Sequence, residues 1–249
     1  MKLSLPFLSL LCTVITSTTI AQESKTLRIG HRGAMGHITE NTVESVVKAI
    51  DLHCDMIEID VYKIKSGELV VFHDDTLDRV TNAKGDIESY TLDELEDVLV
   101  GGKYKIPTLE EVIDVIGRKS VLNIELKGSN TAVDTHRIIL NFIDRGWTYT
   151  DFILSSFKWD ELKIAYDLDA SLPLAVLTEK KPEDAIEFAL SIQAKAINPY
   201  HKMLNEENTA LIKKEKLKIY PWTVNHLKDI ERMKKLKVDG IITNFPERI

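Results

Sequence analysis

Short apolar runs typical of β-strands alternate with amphipathic helical stretches along most of this chain, and this order limits its fold more than any other feature. Strand, helix and strand in succession predict a parallel sheet with right-handed crossovers. Eight such runs begin near residues 27, 56, 121, 152, 172, 194, 217 and 238. Eight parallel strands joined by helices predict an α/β fold of the (β/α)8 or TIM-barrel type.

A ninth strand-like run, from Leu69 to Phe72, does not fit this repeat. It follows Val61 after a short connection that contains Gly67, whereas a parallel return needs about a dozen or more residues. We therefore expect an antiparallel strand and a small insertion after the second barrel strand, at about 62–107. Within it, Thr91 and Glu94 have the spacing of a capping box and predict the start of a short helix.

The first 21 residues are interpreted as a signal peptide. Lys2 precedes an apolar run from Leu3 to Ile15, and Thr19 and Ala21 are small residues at the two positions that define cleavage. The run is shorter than the roughly 20 apolar residues that a spanning helix needs, which disfavours a retained membrane anchor. We expect cleavage near Ala21, export to a bacterial periplasm or the exterior, and a single mature domain at 22–249 without stable membrane insertion.

Charge and cysteine content narrow the expected partners. The formal net charge is −7 and basic residues form no long block, so nucleic acid binding has no electrostatic support. Cys54 is the only cysteine outside the predicted signal peptide, which excludes an internal disulfide in the mature chain. The expected partner is a small molecule.

Acidic residues lie in strands that are otherwise apolar. Glu58 and Asp60 are two positions apart on one predicted strand, so both side chains face the same side, and Glu125 lies on the next barrel strand. Three inward carboxylates repel one another unless a positive charge lies among them. Oxygen ligands favour one divalent cation, Ca²⁺ or Mg²⁺. The alternative is charge pairing with Arg32 and Lys127.

Two histidines stand at strand ends, where a barrel of this type places its active site. His31 precedes Arg32 and Gly33, and His73 ends the insertion strand. Both histidines are candidates for general acid and base, since imidazole titrates near neutral pH, and Arg32 could bind a phosphate. The remaining histidines are predicted to lie on the surface or on helices; they are His37, His53, His136, His201 and His226.

Other residues near strand ends carry weaker signals. Trp222 and Phe157 could either pack in the barrel or line a substrate pocket. Asn41, next to Thr42, is predicted to cap the first helix. Glu40 could be solvated or lie near a ligand.

Together these residues resemble the glycerophosphodiester phosphodiesterase family. The segments that carry the resemblance follow one another at 31–33, 40–42, 58–61, 70–74, 106–109, 125–127, 222–225 and 239–246. The resemblance implies a TIM barrel with an inserted subdomain and the release of an alcohol and glycerol 3-phosphate from a glycerophosphodiester. Asn244 departs from the family pattern, in which Asp is common before the final proline.

The resemblance also implies roles for individual residues. Metal ligation is implied for Glu58, Asp60 and Glu125. Catalysis is implied for His31 and His73, and phosphate binding for Arg32 and Lys127. The assignment of acid and base stays open, as does the choice between attack by water and a cyclic phosphate. A phospholipase of C or D type and a non-catalytic binding barrel are the alternatives.

Overall fold

The computed structural model describes residues 25–249, so the predicted signal peptide lies outside the described residues. The strands are β1 Leu27–Gly30, β2 Met56–Lys63, β3 Leu69–Val71, β4 Leu99–Val100, β5 Tyr104–Lys105, β6 Val121–Leu126, β7 Phe152–Ser156, β8 Leu174–Thr178, β9 Ala196–Pro199, β10 Lys218–Ile219 and β11 Gly240–Thr243. The α-helices are α1 Val43–Asp51, α2 Leu92–Leu95, α3 Leu109–Ile116, α4 Thr131–Asp144, α5 Trp159–Leu168, α6 Ile186–Ser191, α7 Glu206–Lys214 and α8 Leu227–Lys235.

Eight strands form a parallel sheet in the order β10, β9, β8, β7, β6, β2, β1, β11. Backbone hydrogen bonds cross the seam between its ends, among them those from Asp239 N to Ile219 O at 3.1 Å and from Ile242 N to Pro221 O at 3.0 Å. The sheet therefore curls into a nearly closed barrel, with helices between successive strands. The predicted (β/α)8 fold is confirmed.

The insertion after β2 is also as expected. Strand β3 pairs antiparallel with β2, with Val71 opposite Val61. Helix α2 begins at the predicted capping box, in which Thr91 and Glu94 exchange hydrogen bonds. The short strands β4 and β5 pair antiparallel and complete this region. A small apolar core, separate from that of the barrel, includes Phe72, Leu77, Ile87, Leu95 and Val100.

Helix α3 was not anticipated from the sequence. It starts at a capping box between Thr108 and Glu111, and it buries Leu109, Val112 and Ile116 at helical spacing. This helix joins the insertion to β6. It is therefore the helix of the crossover that connects the neighbouring barrel strands β2 and β6.

The apolar core lies both outside and inside the barrel. Ile57 and Ile59 point outward from β2 and are fully buried in the larger core beneath the helices. Inside the barrel, an apolar layer includes Ile29, Met56, Ile153, Ala175, Ala196, Tyr220 and Ile242. This layer fills the barrel interior, so polar side chains can gather only toward the carboxyl ends of the strands. Among residues 25–249, no helix combines the length and the apolar character needed to cross a membrane.

Candidate active site

Three carboxylates converge at the carboxyl ends of β2 and β6. The alternation of β2 turns Glu58 and Asp60 inward, and the register places Asp60 directly beside Glu125. One carboxylate oxygen from each of the three residues lies within 4.8 Å of the others. Their exposed fractions are 4 %, 1 % and 8 %. The predicted acidic cluster is therefore present and buried.

Lys127 and Arg32 both form ion pairs with the acidic cluster, as the alternative to a bound cation required. These two positive charges do not balance the three negative charges of the cluster. Lys127 Nζ lies 3.3 Å from Glu125 Oε1, and Arg32 Nε lies 3.5 Å from Asp60 Oδ2. No basic side chain among the described residues forms an ion pair with Glu58, and the buried Asp60 Oδ1 has no hydrogen-bond partner there. The cluster thus retains both negative charge and an unused ligand atom.

Burial has a direct electrostatic consequence for two of these acids. It raises the pKa of Glu58 well above its usual value, and the charges of Asp60 and Glu125 act in the same direction. Burial, and then the charge of Asp60, raises the pKa of Glu125 to about 8. Full ionisation near neutral pH therefore needs added positive charge. An all-oxygen donor set with excess negative charge fits a divalent cation such as Ca²⁺ or Mg²⁺.

A tight turn after β1 attaches the chain to this cluster. Arg32 and Gly33 both adopt positive φ, at 50° and 81°. A Cβ atom on Gly33 would lie 2.4 Å from Ser45 Oγ, so glycine is needed there. The Arg32 N–H donates to Glu58 Oε2 at 2.9 Å, which orients that carboxylate.

His31 is held by the final strand end. Its Nδ1 lies 2.7 Å from Asn244 Oδ1, and the carbonyl oxygen of an amide accepts, so Nδ1 carries the proton in this arrangement. Asn244 is itself fixed because its N–H donates to Asn225 Oδ1. Burial, followed by the charge of Arg32, lowers the pKa of His31 to about 4. His31 is therefore neutral at neutral pH and presents Nε2 as a proton acceptor.

His73 has a different partner. Its Nδ1 lies 2.6 Å from Asp74 Oδ1, and its Nε2 lies 3.2 Å from Lys127 Nζ. Burial lowers the pKa of His73, whereas the hydrogen bond to Asp74 acts in the opposite direction. Asp74 thus places a full negative charge beside this imidazole, whereas the Nδ1 partner of His31 is the neutral amide of Asn244.

An arginine that the sequence analysis did not single out connects the two halves of the site. Arg79 binds Asp74 Oδ2 through Nε at 2.5 Å and Glu40 Oε2 through Nη1 at 2.9 Å. Glu40 in turn accepts from Arg32 Nη1 at 2.6 Å. Although burial opposes it, these hydrogen bonds lower the pKa of Glu40 to about 2. Arg79 and Glu40 therefore couple the positions of His73 and Arg32.

Asn41 has a role other than the one predicted. Thr42 is the residue that caps α1, through a hydrogen bond from Ser45 N. Asn41 instead adopts φ 56° and is 2 % exposed. Its Nδ2 donates to Asp60 Oδ2 at 2.9 Å. The cap prediction is wrong for Asn41 because its side chain holds Asp60 in place.

A cavity of about 80 Å³ lies at the centre of these groups. Trp222 and Phe157 form one wall, packed edge to face with ring centroids 5.3 Å apart. Trp222 Nε1 donates to Asn198 O, which fixes the indole ring. The wall faces the other predicted site residues that line the cavity, which are His31, Arg32, Glu58, His73, Glu125 and Lys127. Asp60, the remaining one, contacts Arg32. The structure thus gathers the whole predicted set in one place.

The other five histidines lie on the surface or in helical segments, as predicted. His201 is 5 % exposed, and Arg232 Nη2 donates to its backbone oxygen at 2.8 Å. It begins a short 3-10 helix, His201–Met203, and does not line the cavity. His37, His53 and His226 are exposed and His136 lies on α4, as expected.

Comparison with known proteins gives a consistent picture. A sequence profile of the glycerophosphoryl diester phosphodiesterase family matches residues 31–248. A glycerophosphodiester phosphodiesterase of Caldanaerobacter subterraneus subsp. tengcongensis is 35% identical over 90% of this chain and 96% of its own length. One from Bacillus subtilis is 30% identical over 98% of this chain and 93% of its own length.

Solved structures share the fold. A phosphodiesterase from Oleispira antarctica, in complex with the product sn-glycerol-3-phosphate, superposes with a TM-score of 0.81 at 26% identity; the match covers 89% of this chain and 94% of that one. A glycerophosphodiester phosphodiesterase from Thermotoga maritima gives a TM-score of 0.74 at 26% identity, over 90% of this chain and 96% of that one.

Proposed function

The chain belongs to the glycerophosphoryl diester phosphodiesterase family, and on that premise we propose a cation-dependent hydrolysis of glycerophosphodiesters, with His31 and His73 as the proton-transfer groups. Family membership makes the chain a phosphoric diester hydrolase that acts on a small molecule. The observation that carries the finer proposal is the meeting of an undercompensated acidic cluster, two imidazoles and two cationic side chains at one cavity.

Glu58, Asp60 and Glu125 would hold the cation, and their oxygen donors suit Ca²⁺ or Mg²⁺. When bound, such an ion supplies positive charge that stabilises the extra negative charge of a phosphodiester under attack. Asn41 and the Arg32 N–H keep the carboxylates in position, because each donates a hydrogen bond to one of them.

Arg32 and Lys127 are proposed to bind the non-bridging phosphate oxygens. Both side chains line the catalytic cavity, and both already contact a carboxylate of the cluster. Positive groups fixed in advance stabilise the transition state without costly reorganisation. Phe157 and Trp222 would pack against the carbon atoms of the substrate.

The hydrogen-bond partners of the two histidines support an assignment of their roles. His31, neutral and with Nε2 free of any described partner, is proposed as the base that takes a proton from the attacking hydroxyl. His73, beside the negative charge of Asp74, is proposed as the acid that protonates the leaving oxygen. The attacking hydroxyl belongs either to water or to the adjacent glycerol carbon, and the same base serves both routes.

The first test is a panel of glycerophosphodiesters assayed with a chelator, with Ca²⁺ and with Mg²⁺. We expect release of an alcohol and glycerol 3-phosphate that depends on one of the two ions. His31→Ala and His73→Ala should each lower kcat by about 10²–10⁴-fold while calorimetric metal binding persists. Full activity with chelator present, or near-normal turnover in either variant, contradicts the proposal.

We also propose that the mature chain acts outside the cytoplasm. The support is the composition of residues 1–21, with one basic residue, a short apolar run and a small residue at position 21.

A further inference from the structure

A second, larger cavity opens beside the catalytic one. It has a volume of about 610 Å³ and shares Glu125, Lys127 and Phe157 with the catalytic cavity. One wall comes from the insertion, between residues 75 and 88, and the other from the chain that follows β6 and β7. A diester whose phosphate contacts Lys127 can therefore extend one of its two alcohols into this space.

The charge of the second cavity is predominantly negative. Asp75, Asp86 and Glu88 line it, whereas Lys158 is its only lysine besides Lys127, which is already paired with Glu125. Three carboxylates against one free lysine leave two negative charges. Negative charge this close to a bound phosphate disfavours an anionic alcohol and favours a cationic one.

The Glu88 carboxylate lies close to the position expected for phosphate. A Cβ atom on Gly128 would lie 2.9 Å from Glu88 Oε1, so this carboxylate rests against the backbone immediately after Lys127. The insertion therefore reaches across to the end of β6 and places a negative charge within one residue of the proposed phosphate ligand.

Tyr62 gives an independent indication that the cavity takes a ligand. The residue is 8 % exposed and lines the cavity, yet its hydroxyl makes no hydrogen bond to any residue in the range 25–249. The hydroxyl is open to the cavity, so it is free to hydrogen-bond a molecule bound there.

A small metal ion does not explain these carboxylates. Within the part of the chain that the structure describes, the only acidic group tight enough to chelate an ion is that of Glu58, Asp60 and Glu125. The carboxylates of the second cavity form no such tight group, and the rings of Tyr62 and Phe157 line the same cavity. Separated negative charges beside aromatic rings suit an organic ammonium group better than a metal ion.

We infer that this second cavity binds the leaving alcohol and selects glycerophosphodiesters whose alcohol carries a compact organic cation, such as an amino or quaternary ammonium group. The inference rests on the proposed function, since it assigns a place to one half of the same substrate.

The test compares glycerophosphocholine with its uncharged carbon isostere, the 3,3-dimethylbutyl ester of glycerol 3-phosphate. The two alcohols have nearly the same shape, so their ratio of kcat/KM isolates the contribution of charge. We expect the cationic substrate to be favoured about tenfold at low ionic strength, with most of the difference in KM, and less so in high salt.

Two variants locate the effect. Asp75→Asn and Glu88→Gln remove exposed carboxylates, and each should reduce the preference about threefold with little change in cleavage of the isostere. Asp86 is left intact because its side chain accepts from Glu88 N and holds the local turn. Glu215→Gln, which removes an exposed carboxylate just after α7, is the matched control and should leave the preference unchanged.

Equal kcat/KM for the two substrates overturns the inference while cleavage of both upholds the proposed function. A preference that survives in the Asp75→Asn, Glu88→Gln double variant also overturns it. Failure to cleave any diester with either metal overturns the proposed function and the inference together.

Discussion

Once divalent cations are removed, the stability of this protein should fall as the pH rises from 7 to 8. The cause is the buried acidic cluster. In the folded, cation-free protein the pKa of Glu125 is about 8, whereas that of an ordinary glutamate is about 4.5. Between these values the folded state holds a proton that the unfolded state has released. Stability therefore falls with rising pH, because the folded state binds more protons.

The magnitude follows from the linkage relation. One proton held only by the folded state corresponds to about 1.4 kcal/mol of unfolding free energy for each pH unit. Glu58, whose pKa is also raised, acts in the same direction. With a pKa of about 8, Glu125 is about nine-tenths protonated at pH 7 and about half protonated at pH 8, so it alone contributes about 1 kcal/mol over this interval. For a chain of this size, about 1 kcal/mol shifts Tm by roughly 2–4 °C. We expect at least that decrease between pH 7 and pH 8.

The pH window is chosen to exclude other groups. The pKa of His31 is lowered from 6.5 to about 4 by burial and by the charge of Arg32. Between these two pH values the unfolded state binds more protons, so His31 makes the stability rise with pH only in that range. Above pH 7 it is largely neutral in both states. Burial raises the pKa of Cys54 to about 12, so its thiol lowers stability mainly above pH 8. Between these limits the two glutamates dominate.

The assay is thermal unfolding at several pH values, with a chelator and with excess Ca²⁺ or Mg²⁺. A bound cation keeps the carboxylates ionised, so the decrease should vanish and the gain in Tm from the cation should grow with pH. Glu125→Gln removes one titrating group and should flatten the chelated profile. A Tm that is constant or rises between pH 7 and pH 8 in the chelated wild-type protein would refute the account of the cluster.

Three further predictions concern other parts of the chain. Arg79→Gln should lower kcat about tenfold with little change in metal affinity, because His73 and Arg32 lose their common support. Arg79→Lys should restore little activity, since a single ammonium group cannot replace the several donors of the guanidinium group. Wild-type kcat in Arg79→Gln would contradict the coupling. Asn244→Asp should shift the acidic limb of the pH profile of kcat/KM upward by about 1 pH unit, because a carboxylate beside Nδ1 stabilises a protonated His31. If the acidic limb does not move, His31 is not the general base. Amino-terminal sequencing of the chain recovered from outside the cytoplasm should begin at Gln22, and an intact Met1 would exclude the signal peptide.

Much of the fold is encoded in local patterns that can be read along the chain. Strand alternation turns Glu58 and Asp60 to one side whatever lies around them, and the short connection before Leu69 permits only an antiparallel return. The capping box of Thr91 and Glu94 joins residues three positions apart. Helix α3 was local in the same way, with Leu109, Val112 and Ile116 at helical spacing, although the sequence analysis did not assign it.

The contacts that hold the site together join residues that are far apart in sequence. Arg79 contacts Glu40 across 39 positions of sequence, and His31 contacts Asn244 across 213. Asn41 looks like a helix cap in sequence, but the approach of β2 makes it a partner of Asp60. No periodicity marks such pairs, because each forms only when separate strands end at the same face of the barrel.

The sequence by itself determined which side chains face inward and what chemistry they can perform. Only the tertiary structure decided how their charges balance, which imidazole has a carboxylate beside it, and that a second, acidic cavity adjoins the first. The physical reason is that side-chain direction depends on backbone geometry over a few residues, whereas burial and charge compensation depend on every element that closes around the group.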